Sequence, residues 1–185
     1  MIIALVGMTG SGKTVAAGYI TKKGFTLIYF GSLVMNMLKE QNLPITEANE
    51  RKLREELRNE HGMEAFAKMH LSQISSALAK GNVIIDGMAS QAEFEFLYSY
   101  FGKKLTVISM YTTKALRYRR LSTRSHRPLT GDQAVSRDIS EIHNMDKGGP
   151  IALADYLVLN DDTLESLYHQ LDKILKHIQE RNNDD

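Results

Sequence analysis

Short unbroken apolar runs alternate along the chain with longer stretches in which apolar positions recur every three or four residues. Ile2-Ile3-Ala4-Leu5-Val6 is too short for a helix and rich in branched residues, which predicts a buried strand. Similar runs at 26–30, 82–87, 105–111 and 155–160 predict further strands. Runs that are apolar at nearly every position suit strands covered on both faces, as in a parallel sheet. The periodic stretches lie between them. A first helix follows residue 14; Ser32 is a candidate N-cap for a helix over 33–39, and Thr46 for a charged helix stopped by His61-Gly62. From Met63, the apolar positions Phe66, Ala67, Leu71, Ile74, Ala77 and Leu78 outline a long amphipathic helix ended by Gly81, with His70 on the same face. Further helices are expected at 92–101 and 113–123, and Asp132 is a candidate N-cap for a short helix towards His143. The last helix carries a D-x-x-E capping box at Asp162 and Glu165 and a stripe of Leu164, Leu167, Tyr168, Leu171, Ile174, Leu175 and Ile178, before a frayed tail at 182–185. Strands alternating with helices in this way predict one three-layer α/β domain, with a parallel sheet between helical layers.

A chain of 185 residues has room for a full core and a small insertion. Hydrophobic residues at 43% and charged residues at 24% describe an ordinary globular protein. The lack of cysteine excludes a disulfide scaffold and a cysteine-ligated zinc site. No apolar run has membrane-spanning length, and the first residues read as a strand, so the expectation is a cytoplasmic protein with no membrane partner. The formal net charge of +1 gives no overall bias towards nucleic acid. Its distribution is more informative. No acidic residue falls between Glu95 and Asp132, whereas Lys103, Lys104, Lys114, Arg117, Arg119, Arg120, Arg124 and Arg127 all do. That local field suits a polyanionic small molecule, and RNA is the less favoured alternative.

Gly7-Met8-Thr9-Gly10-Ser11-Gly12-Lys13-Thr14 fits G-x-x-x-x-G-K-[ST] in full and lies between a predicted strand and a predicted helix. In that context the glycines let backbone N–H groups converge on phosphates, Lys13 supplies a mobile charge, and Thr14 offers a hydroxyl to Mg²⁺. Asp86 ends an apolar strand, where a carboxylate stands beside the metal of such a site. Gly87 follows it, in place of the glutamate with which hydrolysing motors activate water, and a guanine-reading Asn-Lys-x-Asp is absent. Transfer to an acceptor therefore fits better than a motor or a switch. Asp146-Lys147-Gly148-Gly149 spells D-x-x-G, but no strand precedes it, and it is set aside as coincidence. Arg117, Arg120 and Arg124 are spaced i, i+3, i+7 on one helical face, with Arg127 just beyond on a polar break. Arginines on a lid gather charge around a moving phosphoryl group when the site closes. Arg137-Asp138 belongs either to this network or to a plain intrahelical set. The histidines show no metal-ligand spacing.

Taken together, the loop, the Asp86-Gly87 strand end, the arginine segment and Ala154-Asp155-Tyr156 leading to Asn160 resemble the nucleoside-monophosphate kinase superfamily. Dephospho-CoA kinase is similar in the arginine segment and the last strand. The nearest likeness, over nearly the whole chain, is to small adenylate-kinase-related proteins best known from archaea. It rests also on Leu53-Arg54-Glu55-Glu56, Glu93-Phe94-Glu95-Phe96, Arg137-Asp138 and Ile151-Ala152-Leu153-Ala154. The resemblance implies a five-stranded parallel sheet, an acceptor-binding helical insertion around 31–80, a lid near 124–131, and ATP with Mg²⁺. The chain departs from these relatives at Met35 and Ala89, where they tend to carry arginines that would face an acceptor phosphate. The expectation is an ATP-dependent kinase, monomeric or homodimeric, acting on a small phosphorylated or hydroxylated acceptor. In it Gly7 to Thr14, Arg117 and Arg127 hold the nucleotide, Lys13, Asp86, Arg120 and Arg124 serve catalysis, and Thr14 with Asp86 holds the metal. Ordinary nucleoside monophosphates are expected to be poor acceptors unless Arg51, Arg54 or Arg58 compensates. The alternative is a nucleotide-binding module whose basic segment contacts RNA or a partner without efficient transfer.

Overall fold

β1 (Ile2–Val6) is the middle strand of a five-stranded sheet, and every residue in it is buried. The computed structural model describes residues 1–125 and 128–184, with side chains to residue 181. The other strands are β2 (Thr26–Tyr29), β3 (Val83–Asp86), β4 (Leu105–Tyr111) and β5 (Tyr156–Leu159), in spatial order β2-β3-β1-β4-β5. All neighbouring pairs are parallel. Period-two geometry divides β1 between two cores: Ile2, Ala4 and Val6 face one layer, Ile3 and Leu5 the other. This is why its apolar run is unbroken.

The Ile3 face is covered by α1 (Lys13–Thr21) and α9 (Leu164–Asp184), through Ala16, Ile20, Leu167, Leu171, Leu175 and Ile178. The Ile2 face is covered by α2 (Gly31–Glu40), α3 (Glu47–His61), α4 (Ala65–Leu78) and α5 (Gln91–Phe101), which contribute Val34, Leu57, Phe66, Ile74 and Leu97. Each fully buried aliphatic side chain contributes roughly 1.5–3 kcal/mol. α6 (Lys114–Thr123), α7 (Gly131–Met145) and the short α8 (Gly148–Ala152) connect β4 to β5. Among the described residues no helix is long and apolar enough to cross a membrane.

Several caps differ from the sequence expectation. Ser32 lies inside α2 and its hydroxyl donates to the Tyr29 carbonyl, because the helix already begins at Gly31. Thr46 does cap α3, accepting from the Asn49 N–H. α7 is capped by Thr130 with Gln133 in a reciprocal box, so Asp132 is a first-turn residue and the helix is longer than expected. In α9 the side chain that accepts from the Ser166 N–H is Thr163, one residue beyond Asp162, and Leu164 at the first turn is exposed. In α7 and α9 a neighbouring hydroxyl accepts from a first-turn N–H group, whereas α2 has no side-chain cap.

Candidate active site

The loop from Gly7 to Thr14 joins the carboxyl end of β1 to α1, at the sheet edge where ligand crevices of open parallel sheets form. Two of its glycines are required by space as well as by backbone. At Gly7 (φ 137°) a Cβ would strike the Met110 carbonyl of β4, and at Gly12 (φ 95°) the Asn160 side-chain amide. Asn160 holds the loop from behind: its Nδ2 donates to the Ser11 carbonyl at 2.9 Å. The Asn160 carbonyl in turn accepts from Arg120 Nη2 at 2.9 Å, and Arg120 Nη1 donates to Thr112 Oγ1 at 3.2 Å.

Lys13 folds back over its own loop, donating to the Gly7 and Met8 carbonyls at 2.8 and 3.1 Å. Burial lowers its pKa to about 7, and the Lys147 ammonium pushes it further the same way. Thr14 Oγ1 donates to Asp86 Oδ2 at 3.0 Å. Asp86 reaches that point because the parallel register sets it beside Leu5 on β1 and Tyr29 on β2. Among the described residues no group of three or more His, Cys, Asp or Glu gathers around a common point.

These groups open onto one cleft of about 550 Å³, lined by Thr9, Gly10, Gly12, Lys13, Thr14, Asp86, Arg120 and Arg124 of the expected set. Arg117 does not line it. Its guanidinium is buried, grips Asp138 through both Nη atoms at 2.9 and 2.6 Å, and donates to the Thr9 carbonyl at 2.9 Å. The Tyr118 hydroxyl adds a bond to Asp138 at 3.1 Å. Arg137-Asp138 is thus part of the arginine network, not a set confined to its own helix. Arg127 and His126 lie outside the described residues. Arg117 and Arg120 are bonded inwards, whereas Lys103, Lys104, Lys114 and Arg119 of the same basic interval are exposed.

The same cleft is also lined by Arg54 and Arg58 of α3, with Phe66 and Ala89. Arg54 bonds to Glu47 and Glu50 at 2.9 and 3.2 Å. Arg58 lies over the Phe66 ring, 4.9 Å from its centroid, and approaches Glu93 at only 3.5 Å. Arg51 pairs with Glu55 and faces a neighbouring cavity instead. Met35 stays half-buried in α2 away from the cleft, and Ala89 presents a methyl group to it.

Three further residues lie here that were not among the expected site residues. Glu93 is wholly buried and accepts from the Ala89 and Ser90 N–H groups at 2.6 and 3.1 Å, fixing the turn after Asp86. Burial raises its pKa, opposed by Arg58 and those two amides. The S-x-x-E spacing of Ser90 and Glu93 signals this cap directly. Glu141 of α7 accepts from Thr9 Oγ1 of the loop, from Lys147 at 2.7 Å and from Arg137 at 3.2 Å. Burial works against its ionisation, but Lys147, the Thr9 hydroxyl and Arg137 outweigh it and hold the carboxyl at about 2. Lys147, from the tetrapeptide set aside above, is buried and lines the cleft.

A family model described as "AAA domain" matches residues 3–146. A UPF0200 protein of Thermococcus gammatolerans is 30% identical over 182 residues, 96% of this chain and 95% of the relative. Among solved structures, a shikimate kinase from Bacteroides thetaiotaomicron superposes with a TM-score of 0.62 at 19% identity, covering 95% of this chain and 98% of its own. A gluconokinase from Sinorhizobium meliloti superposes with a TM-score of 0.59 at 12% identity, covering 97% and 95%. At such identities the structural likeness speaks for the fold alone, which is that of small-molecule P-loop kinases. On the span of the domain match and the full-length likeness to the archaeal relative, this chain belongs to the AAA-domain family and, within it, to the UPF0200 proteins.

Proposed function

We propose that the chain is an ATP-dependent phosphotransferase that moves the γ-phosphoryl group of ATP to a small anionic acceptor, nucleotide-like or dephospho-CoA-like. One observation carries the reading: loop residues with Lys13 and the Arg54 and Arg58 side chains line the same cleft. In the reaction an acceptor oxygen bonds to the γ-phosphorus as the bond from phosphorus to the β–γ bridging oxygen breaks. ADP leaves, and an acceptor hydroxyl gives up its proton. Lys13 turns from the loop carbonyls to the outer phosphates, while Arg120 and Arg124 line the side on which charge builds up. Thr14 Oγ1 and Asp86 Oδ2, adjacent oxygens 3.0 Å apart, fit a Mg²⁺ ion that takes few protein oxygens and completes its shell with phosphate and water. When bound, that ion neutralises charge on the β and γ oxygens. Arg54 and Arg58 offer the acceptor the guanidinium groups that Met35 and Ala89 do not.

The test is a coupled assay with ATP and Mg²⁺ across AMP, CMP, GMP, UMP, dTMP, dephospho-CoA, shikimate and gluconate. Turnover of an anionic acceptor that is lost in an Arg58→Ala variant is the expected result. Turnover unaffected by Arg54→Ala and Arg58→Ala together would remove these residues from the acceptor site.

Two further outcomes are expected. Arg124→Ala lowers kcat more than it raises KM for ATP, because a lid arginine acts mainly in the closed transition state; a pure KM effect would show that it only holds substrate. Nucleotide binding takes up a proton. Lys13 has a pKa of about 7 in the free protein, and an adjacent phosphate favours its charged form. Affinity therefore falls as pH rises above about 7, and calorimetry at roughly pH 8 in two buffers of different ionisation enthalpy reports the uptake. Equal binding enthalpies in the two buffers would contradict it.

A further inference from the structure

We infer that Lys147 is a second lysine of the phosphate site, one that contacts the terminal phosphate of the donor; this rests on the phosphate-loop reading above. The chain reaches it by a sharp reversal. α7 ends at Asp146, whose positive φ of 48° turns the backbone before α8 begins at Gly148. The turn sends the Lys147 side chain inwards, to a position only 6% exposed, on the wall of the cleft that Lys13 and Thr14 also line.

Its partner identifies the part of the loop it addresses. Lys147 Nζ donates to Glu141 Oε2 at 2.7 Å, and Glu141 Oε1 accepts from the hydroxyl of Thr9. Thr9 directly follows Gly7 and Met8, whose carbonyls hold the Lys13 ammonium. The two ammonium groups therefore serve the same limb of the loop, the limb from which Lys13 reaches the β and γ phosphates. The backbone of Lys13 and Thr14 forms the other limb, where Thr14 bonds to Asp86 of β3.

The charged groups around this limb form one connected set of ion pairs. Glu141 is shared among Lys147, Arg137 and the Thr9 hydroxyl. Arg137 also bonds to Glu47, which is shared with Arg54, and Arg54 bonds to Glu50 as well. Lys13 has carbonyl oxygens as its hydrogen-bond partners here. A phosphate entering the cleft meets Lys13, bonded here to uncharged carbonyl oxygens, and Lys147 on the same wall. A purely structural role explains Lys147 poorly, since burying an ammonium with a carboxylate contributes little that a well-packed apolar pair would not, and such a pair has no reason to line the cleft. Glu141 then holds the Lys147 chain in position and balances its charge until the donor binds.

The experiment measures ATP and ADP affinity by calorimetry for the wild type and for Lys147→Met combined with Glu141→Gln. The double variant removes the buried charges as a pair, so neither is left uncompensated, and the glutamine keeps an acceptor for Thr9 and Arg137. ATP affinity is expected to fall at least about tenfold and ADP affinity by less than about threefold, the loss of one charge-assisted contact to the terminal phosphate. An unchanged ratio of ATP to ADP affinity in the double variant overturns the inference while leaving the phosphate-loop reading intact. A wild-type protein that binds neither nucleotide overturns both. A second measurement uses the unaltered protein: the Lys147 side-chain carbon resonances, assigned with Lys147→Arg, shift on adding ATP and not on adding ADP. Resonances that respond equally to both nucleotides, or to neither, place Lys147 away from the terminal phosphate.

Discussion

Lys13→Ala is expected to weaken ATP binding by roughly a hundredfold or more and to remove phosphoryl transfer, while the protein stays folded. The ammonium now donates to two loop carbonyls, so its position is set before any nucleotide arrives. Each charge-assisted hydrogen bond it makes to phosphate is worth about 1.5–3 kcal/mol, and two such bonds give the stated loss. The fold does not depend on it. Burial already depresses its pKa to about 7, which means the charged form is held there against a desolvation cost. Removing the side chain removes that cost together with its two bonds. Calorimetry gives the affinity, and thermal unfolding followed by circular dichroism checks the fold. A variant that binds ATP as the wild type does would end the phosphate-loop reading and, with it, the proposed activity.

The order of strands and helices was legible because it is written in periodicity. β1 and β3 are apolar at almost every position since both their faces are covered, and the amphipathic stripe of α9 is apolar where it meets the sheet. The loop from Gly7 to Thr14 was legible as a candidate phosphate site for a different reason: such chemistry needs these residue types in one contiguous stretch. Asp86 followed from being a carboxylate at the end of an apolar run. Arg117 is where spacing misleads. The i, i+3, i+7 pattern places it correctly on a face with Arg120, but a pattern cannot say that Asp138, 21 positions on, will take both of its Nη atoms. Glu141 was invisible, and Lys147 stood only in a tetrapeptide dismissed as coincidence, for a related reason. They join the site only through tertiary contacts, Glu141 to Thr9 across 132 positions, and leave no local repeat to read. Glu93 differs again, because its S-x-x-E spacing was present in the sequence and simply marks a cap whose burial becomes evident only once α3 brings Arg58 beside it.

Arg117 gives rise to the largest expected effect on stability. Asp138→Ala is expected to cost about 3–5 kcal/mol, because it leaves a guanidinium buried without its counter-charge. The Arg117 side chain is 7% exposed, so water cannot take over the lost bonds at both Nη atoms. The Tyr118 hydroxyl loses its acceptor as well. Asp138→Asn costs less, since one carbonyl oxygen remains to accept, although the charge is gone. Replacing the pair together, Arg117→Met with Asp138→Leu, recovers much of the stability, as removing both members of a buried ion pair leaves no charge stranded. It does not restore the site. Arg117 also donates to the Thr9 carbonyl, and that bond anchors the phosphate loop to α6. The double variant is therefore expected to fold with near-normal stability yet bind nucleotide more weakly than the wild type. Urea denaturation gives the first quantity and calorimetry the second. An Asp138→Ala variant destabilised by less than about 1 kcal/mol would show that Arg117 finds another partner or reaches solvent. A double variant with unaltered nucleotide affinity would show that the Thr9 contact does not shape the loop.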